Sequence, residues 1–239
     1  MILITRPYED SITTAKELQK MGIDSLVAPL FSTEITANPS FNPNDYDVFI
    51  FTSKNAIRAY GHSYEIVDKQ IFTIGLASAT LAADYGFRRI IRSESDVNDL
   101  IHKIKSNIFD KNLKLVHFCG EETIGDVCKS LNSAEINCHR EIVYKKIPIK
   151  ALPTQLIDNI DEVDGVMFFS PQTAEIFCKL IAQFGLSNFL MNYSAYCISA
   201  NTAEKLTGTS WKNISIANEP NQVALINRIA ENYNAQPKS

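Results

Sequence analysis

Val48-Phe49-Ile50-Phe51-Thr52-Ser53-Lys54-Asn55-Ala56-Ile57 decides the fold. An apolar run meets small polar residues and then passes into a helix-like pattern through Ala56, Ile57 and Tyr60. That order reads as a buried strand, a tight turn and a helix N-terminus. The same sentence recurs as Gly165-Val166-Met167-Phe168-Phe169-Ser170-Pro171-Gln172-Thr173-Ala174. A chain that twice opens a helix with serine at the mouth of a strand builds two anion-receiving loops, and the expectation is that they face each other.

Working outward, Ile2–Thr5 reads as a first strand rather than a signal sequence. A helix follows through Ile12, Ala15, Leu18 and Met21 and stops at Gly22. A strand over 25–30 and an alternating segment at 31–35 come next, then the proline- and asparagine-rich break 38–45, expected to be a crossing between domains. Beyond the opening stretch, strand 71–75 enters a helix through Ser78, and strand 89–91 precedes a helix capped by Asp96. Strand 113–120 ends in Gly120, and the helix after it carries Ile124, Val127, Cys128 and Leu131. Residues 140–148 alternate apolar and polar positions like a two-faced strand.

The last third repeats the second: 196–203 answers 73–79, and 214–229 answers 89–104. More faintly, 113–147 answers 2–36. Strands alternating with helices give parallel sheets covered on both faces. Tandem duplication would divide the chain into 1–109 and 110–239. The preferred alternative pairs the extended segments near 31–36 and 141–147 as linker strands, because a linker need not alternate in polarity unless it is paired. The chain then leaves one domain, 1–35 with 149–239, completes a second, 36–148, and returns. The fold class is therefore α/β, with two parallel-sheet domains of flavodoxin-like type joined by a two-stranded linker.

The totals exclude several classes. With 239 residues, 45% hydrophobic and 21% charged, the chain has the composition of an ordinary globular protein. A net charge of -4 argues against broad binding to nucleic acid, and no run is long enough to cross a membrane. Five cysteines without a C-x-x-C pair fit buried thiols in a reducing cytoplasm. His117 and Cys119 share one face of a strand, but no second pair has zinc-like spacing, so core thiols and surface histidines are the better reading.

Ligands of open parallel sheets bind beyond the carboxyl ends of the strands. Those ends carry Thr5-Arg6, Thr52-Ser53-Lys54-Asn55, Ser78, Cys119-Gly120, Ser170-Pro171-Gln172-Thr173 and Asn201-Thr202. Hydroxyls, amides and free backbone N–H groups at helix starts receive carboxylates or phosphates. Serine, threonine and asparagine are also favoured simply as caps, so the six loops count together rather than singly. No dinucleotide or P-loop glycine pattern is present, no G-x-S-x-G elbow, and no carboxylate cluster for hydrolysis. A Rossmann-like dehydrogenase is set aside on that ground, and chemistry must rest on positioning and hydrogen bonding.

Together the motifs resemble uroporphyrinogen-III synthases, over nearly the whole chain. The resemblance rests on Ile4-Thr5-Arg6-Pro7, Phe51-Thr52-Ser53-Lys54-Asn55-Ala56, Ile74-Gly75 with Ser78-Ala79, Val143-Tyr144, Phe168-Phe169-Ser170-Pro171, and Ile198 with Thr202-Ala203. It implies a HemD-like pair of domains with the active site in the cleft between them. It also implies hydroxymethylbilane, a linear tetrapyrrole with eight carboxylates, as the small-molecule substrate, with no cofactor and no metal. The implied reaction loses the terminal hydroxyl to give an azafulvene, closes through a spiro intermediate, and inverts ring D. Since the free bilane closes without inversion, the enzyme's task is orientation.

By the same resemblance Tyr144 is the acid toward the departing hydroxyl, and Thr202 is a second catalytic-site hydroxyl. Arg6, Ser53, Lys54, Asn55, Ser78, Gly120, Ser170, Pro171, Gln172 and Asn201 are the expected substrate-binding positions. Ser199 replaces a glycine common in the family, and loop 120–124 lacks a basic residue often found there. The chain is expected to act as a cytoplasmic monomer without nucleic-acid or membrane partners. The competing reading is a non-catalytic two-domain clamp for a small anionic ligand, which leaves Tyr144 without a role.

Overall fold

The computed structural model describes residues 1–36, 38–123 and 125–234. The first elements are β1 (Ile2–Ile4), α1 (Tyr8–Lys20), β2 (Ser25–Val27), β3 (Phe31–Ile35), β4 (Val48–Phe51) and α2 (Lys54–Ser63). Then come β5 (Gln70–Ile74), α3 (Gly75–Asp84), β6 (Arg89–Ser93), α4 (Val97–Asn107), β7 (Leu115–Gly120) and α5 (Val127–Asn132). They are followed by β8 (Cys138–Pro148), α6 (Thr154–Asp158), β9 (Gly165–Phe168) and α7 (Pro171–Gln183). The last are β10 (Ser194–Cys197), α8 (Ala200–Glu204), β11 (Asn213–Ile216) and α9 (Gln222–Asn234).

By contact the chain forms two compact units: Met1–Ser32 with Ile147–Ser239, and Thr33–Lys146. In the first, five parallel strands run in the order β11-β10-β9-β1-β2. Counted along the unit, that order is 2-1-3-4-5 from the β2 edge, the flavodoxin-like arrangement. In the second unit the order is β3-β8-β7-β4-β5-β6. Its five strands from β8 to β6 are parallel, and β7 and β8 take the places that β1 and β2 hold in the first unit. The second unit is thus the same arrangement permuted, which is why 113–147 echoes 2–36.

The strands β1, β4, β7, β9 and β10 are buried on both faces because helices cover both. Phe49 and Phe51 of β4 pack with Ala56, Ile57 and Tyr60 of α2, while Val48 and Ile50 pack with Leu100 and Ile104 of α4 and Leu131 of α5. Cutting Phe51 to alanine would remove a fully buried ring and cost about 3–5 kcal/mol. In the first unit Leu3 joins the core under α6 and α7, and Ile2 and Ile4 the core under α1 and α9.

β3 runs against its neighbour, unlike the other strands of the second sheet. The Thr36 N–H donates to the Val143 carbonyl at 3.0 Å and the Ile149 N–H to the Leu30 carbonyl at 3.1 Å. Numbers rise along one strand as they fall along the other, so β3 and β8 pair antiparallel. Lys145 and Glu34 meet across this ladder at 2.8 Å, an exposed pair that contributes little. β2 is shorter than the six-residue strand expected, ending at Val27. The break at 38–45 contributes a 3₁₀ turn at Pro43–Asp45 within the second unit, and Ile124 lies outside the described residues.

Candidate active site

In each unit one edge gathers the carboxyl ends of the parallel strands. In the second, Phe51 is level with Thr73 and with Phe118, so the loops after β4, β5 and β7 leave from the same edge. The strand order reverses between β4 and β7, and ligands of such sheets bind at that switch point. Ser53 lies at one side of it and Gly120 at the other.

Ser53 is extended, with φ -151° and ψ 151°, and its Oγ accepts the Ala56 N–H at 3.2 Å, capping α2. The same Oγ lies 3.0 Å from the phenolic oxygen of Tyr144. Either hydroxyl can donate in this pair, and when Ser53 donates, the tyrosine keeps its own proton for another acceptor. Lys54 and Asn55 are the first two residues of α2, and Asn55 Oδ1 accepts from Arg58 Nη1 at 2.9 Å. Ser78 lies in the first turn of α3, buried, after Gly75 turns the chain at φ +73°.

Tyr144 is aimed by an irregularity. Cys119 pairs with Ile142 but Gly120 with Tyr144, so the register of β7 and β8 shifts by one residue there. Strict alternation would send Val143 and Tyr144 to opposite faces; with the bulge, both pack in the core of Phe51, Tyr60 and Phe118. The phenol's pKa is raised, burial pushing it up more than the Ser53 hydrogen bond draws it down. Gly120 makes room for it: a Cβ there would stand 2.8 Å from Tyr144 Cζ and 3.0 Å from its hydroxyl oxygen. Arg140 braces the loop that follows, with Nη2 donating to the Gly120 and Glu121 carbonyls at 3.2 and 2.6 Å.

The first unit has its own switch point, between β1 and β9. Thr5 Oγ1 donates across it to the Met167 carbonyl at 2.7 Å. Arg6 is built into this edge: its guanidinium pairs with Asp10 at 3.3 Å, hydrogen-bonds Gln222, and lies 4.1 Å over the Phe169 ring. Ser170 caps α7, accepting the Thr173 N–H at 3.2 Å, with Pro171 and Gln172 as the first two helical residues. Ser199 caps α8 in the same way and meets Thr202 Oγ1 at 3.1 Å. Thr202 is fully buried, whereas Asn201 beside it is exposed.

The family model for uroporphyrinogen-III synthase HemD matches residues 12–227. The chain belongs to the uroporphyrinogen-III synthase family. Among solved structures it is similar to uroporphyrinogen-III synthetase from Helicobacter pylori, at 16% identity and TM-score 0.63, over 97% of this chain and 98% of that one. It is also similar to a mutant uroporphyrinogen III synthase from the extremely thermophilic bacterium Thermus thermophilus, at 14% identity and TM-score 0.51, over 98% and 99% of the two chains. At such identities the likeness speaks for the fold. No curated protein matches the chain.

Within this family framework, two features of the second unit escaped the sequence. His117 is not on the surface: it is buried and its Nε2 lies 2.9 Å from Thr52 Oγ1, tying the β4 loop to β7. Arg140 reads in sequence as the polar position of an alternating strand, with no sign of the carbonyls it holds. In the first unit Ser199, marked in the sequence as a departure from the resembled pattern, does the capping of α8. Among the described residues no group of histidine, cysteine and carboxylate side chains suits a metal, and no helix is long and apolar enough to cross a membrane.

Proposed function

We propose that this chain is a uroporphyrinogen-III synthase, closing hydroxymethylbilane to uroporphyrinogen III with loss of water and inversion of ring D. The observation that carries the reading is the buried Tyr144 phenol, pinned between Ser53 and Gly120 at the switch point of its sheet, in a chain of this family. Tyr144 donates its proton to the departing hydroxyl, which leaves as water as the pyrrole nitrogen supplies electrons to form the azafulvene. Ser53 orients the phenol. Ser53, Lys54, Asn55, Ser78 and Gly120 on one unit, and Ser170, Pro171, Gln172 and Asn201 on the other, receive substrate carboxylates through side chains and backbone N–H groups. Arg6, already paired with Asp10, adds positive charge to its edge.

Thr202 acts through Ser199, whose loop it holds, because its own side chain is closed off from solvent. The two units are the domains of the enzyme, with the β3–β8 ladder as linker. The enzyme works in the cytoplasm, a compartment its five free thiols suit, and as a monomer. The deciding assay supplies freshly made hydroxymethylbilane and separates the isomers produced. Isomer III is the expected product; isomer I at the uncatalysed rate would end the assignment.

A further inference from the structure

The α4–α5 face of the second sheet carries chemistry that ring closure does not use. Cys128 of α5 and Cys138, the first residue of β8, bring their sulfurs to 2.8 Å, and both residues are buried. Asn132 fixes this approach from both sides. Its Nδ2 donates to the Cys138 carbonyl at 3.0 Å, and its Oδ1 accepts the Cys138 N–H at 2.8 Å. The strand therefore cannot drift from the helix that carries Cys128. His117 and Asp126 are the titratable side chains that act on Cys128 electrostatically, His117 lowering its pKa and Asp126 raising it.

We infer that Cys128 and Cys138 are a redox couple that closes to a reversible intramolecular disulfide, stapling α5 to the start of β8. The couple is chemically asymmetric. The Cys128 thiol is drawn down, by the S–H of Cys138 first and by His117 to a lesser degree, against the opposing effect of burial. Cys138 is raised, since it keeps the proton that its neighbour gives up. With Cys128 attacking and Cys138 resolving, or in the reverse order, the same disulfide forms.

With a peroxide as oxidant, the Cys128 thiolate takes one oxygen to become a sulfenic acid and releases hydroxide. Cys138 sulfur then attacks the Cys128 sulfur, the S–S bond forms, and the sulfenic oxygen leaves as water with the Cys138 proton. The hydroxide is neutralised by the proton Cys128 had lost. Two thiols and one hydrogen peroxide give one disulfide and two waters. A dithiol reductant reverses the change.

The test uses the full chain, reduced, desalted and exposed to a small excess of hydrogen peroxide, then alkylated after denaturation and digested with trypsin. Cleavage at Lys114, Lys129 and Arg140 separates peptide 115–129, holding Cys119 and Cys128, from peptide 130–140, holding Cys138. The expected product is a dithiothreitol-sensitive cross-link of these two peptides, with the alkyl group on Cys119. Full alkylation of Cys128 and Cys138, a bond from Cys119, or oxidation that stops at a sulfinic acid would overturn the couple. Cys138→Ser should abolish the cross-link, and the wild-type map decides the matter even where that variant fails to fold. Because closure ties a short loop whose sulfurs already lie 2.8 Å apart, the oxidised protein should melt about 5–10 °C higher. An unchanged or lower Tm would overturn the unstrained staple.

Discussion

The hydroxyl of Ser53 meets the phenol of Tyr144 at 3.0 Å across 91 residues of chain, so one serine both caps α2 and holds the proposed acid. The two duties are separable by mutation. Tyr144→Phe should lower kcat about 10²- to 10⁴-fold, the span of a lost general acid, and leave the melting temperature nearly unchanged. Ser53→Ala should cost about 1 kcal/mol of stability through the cap and reduce kcat less. In the double variant the stability loss should persist while kcat falls no further than in Tyr144→Phe. Fully multiplicative rate losses would show that Ser53 acts on substrate independently of the tyrosine.

Gly120 is the other wall of the same arrangement. Its φ is not in the left-handed region; what glycine supplies is space, since a Cβ would press into Tyr144 at 2.8 Å. Gly120→Ala should therefore displace the phenol, costing about 1–3 kcal/mol of stability by overpacking and lowering kcat. Combining it with Tyr144→Phe tests the cause: the ring is still crowded, but no acid remains to be misplaced. A further drop in kcat in that pair would mean Gly120 has a part in the chemistry beyond placing the phenol, whereas its proposed part in binding should show as a raised KM.

The buried tyrosine also sets an alkaline behaviour. Burial raises the Tyr144 pKa above its ordinary value near 10, so the phenol keeps its proton throughout the neutral and mildly alkaline range. A fall in kcat between pH 7 and 9 should accordingly be absent, and the profile of Ser53→Ala should extend no lower, because that hydrogen bond draws the pKa down. The linkage has a definite sign. A folded pKa above the unfolded one gives stability that is fully present below about pH 10 and is lost as pH rises through the folded value. Tyr60, Tyr193 and Tyr233 are raised too, each by burial first, so Tyr144→Phe should remove only part of the alkaline loss seen in denaturant titrations.

The strand–turn–helix units were legible because each is local. Val48–Phe51 is apolar on both faces, Ser53 stops the strand and caps the helix, and 165–173 repeats the pattern under the same forces. The echo of 2–36 in 113–147 was also readable, and the strand orders give it meaning. The aim of Tyr144 was not legible. It depends on a register shift opposite Gly120, and nothing in the alternation of 140–148 announces that two consecutive residues will share a face. His117 and Arg140 failed for a related reason. A polar residue in a strand looks solvent-facing until a partner from a distant element, here Thr52 or the Gly120 carbonyl, lies within reach.

Thr202 offers the sharpest test of how the first unit contributes. The Thr202 Oγ1 lies 3.1 Å from Ser199 Oγ, and the residue has no exposed surface, so its hydroxyl serves the loop that presents Asn201. Thr202→Val keeps the shape and the backbone N–H that Ser199 caps, but removes the hydroxyl. Its half-buried partner Ser199 is then left with one fewer hydrogen bond, at a cost of about 1 kcal/mol. If the role is positioning, KM for hydroxymethylbilane should rise several-fold with kcat within about two-fold of wild type, and Thr202→Ser should restore KM. A drop in kcat with KM unchanged would instead place the Thr202 hydroxyl on the reacting atoms. The backbone around Ser199 would then have to open to admit the substrate.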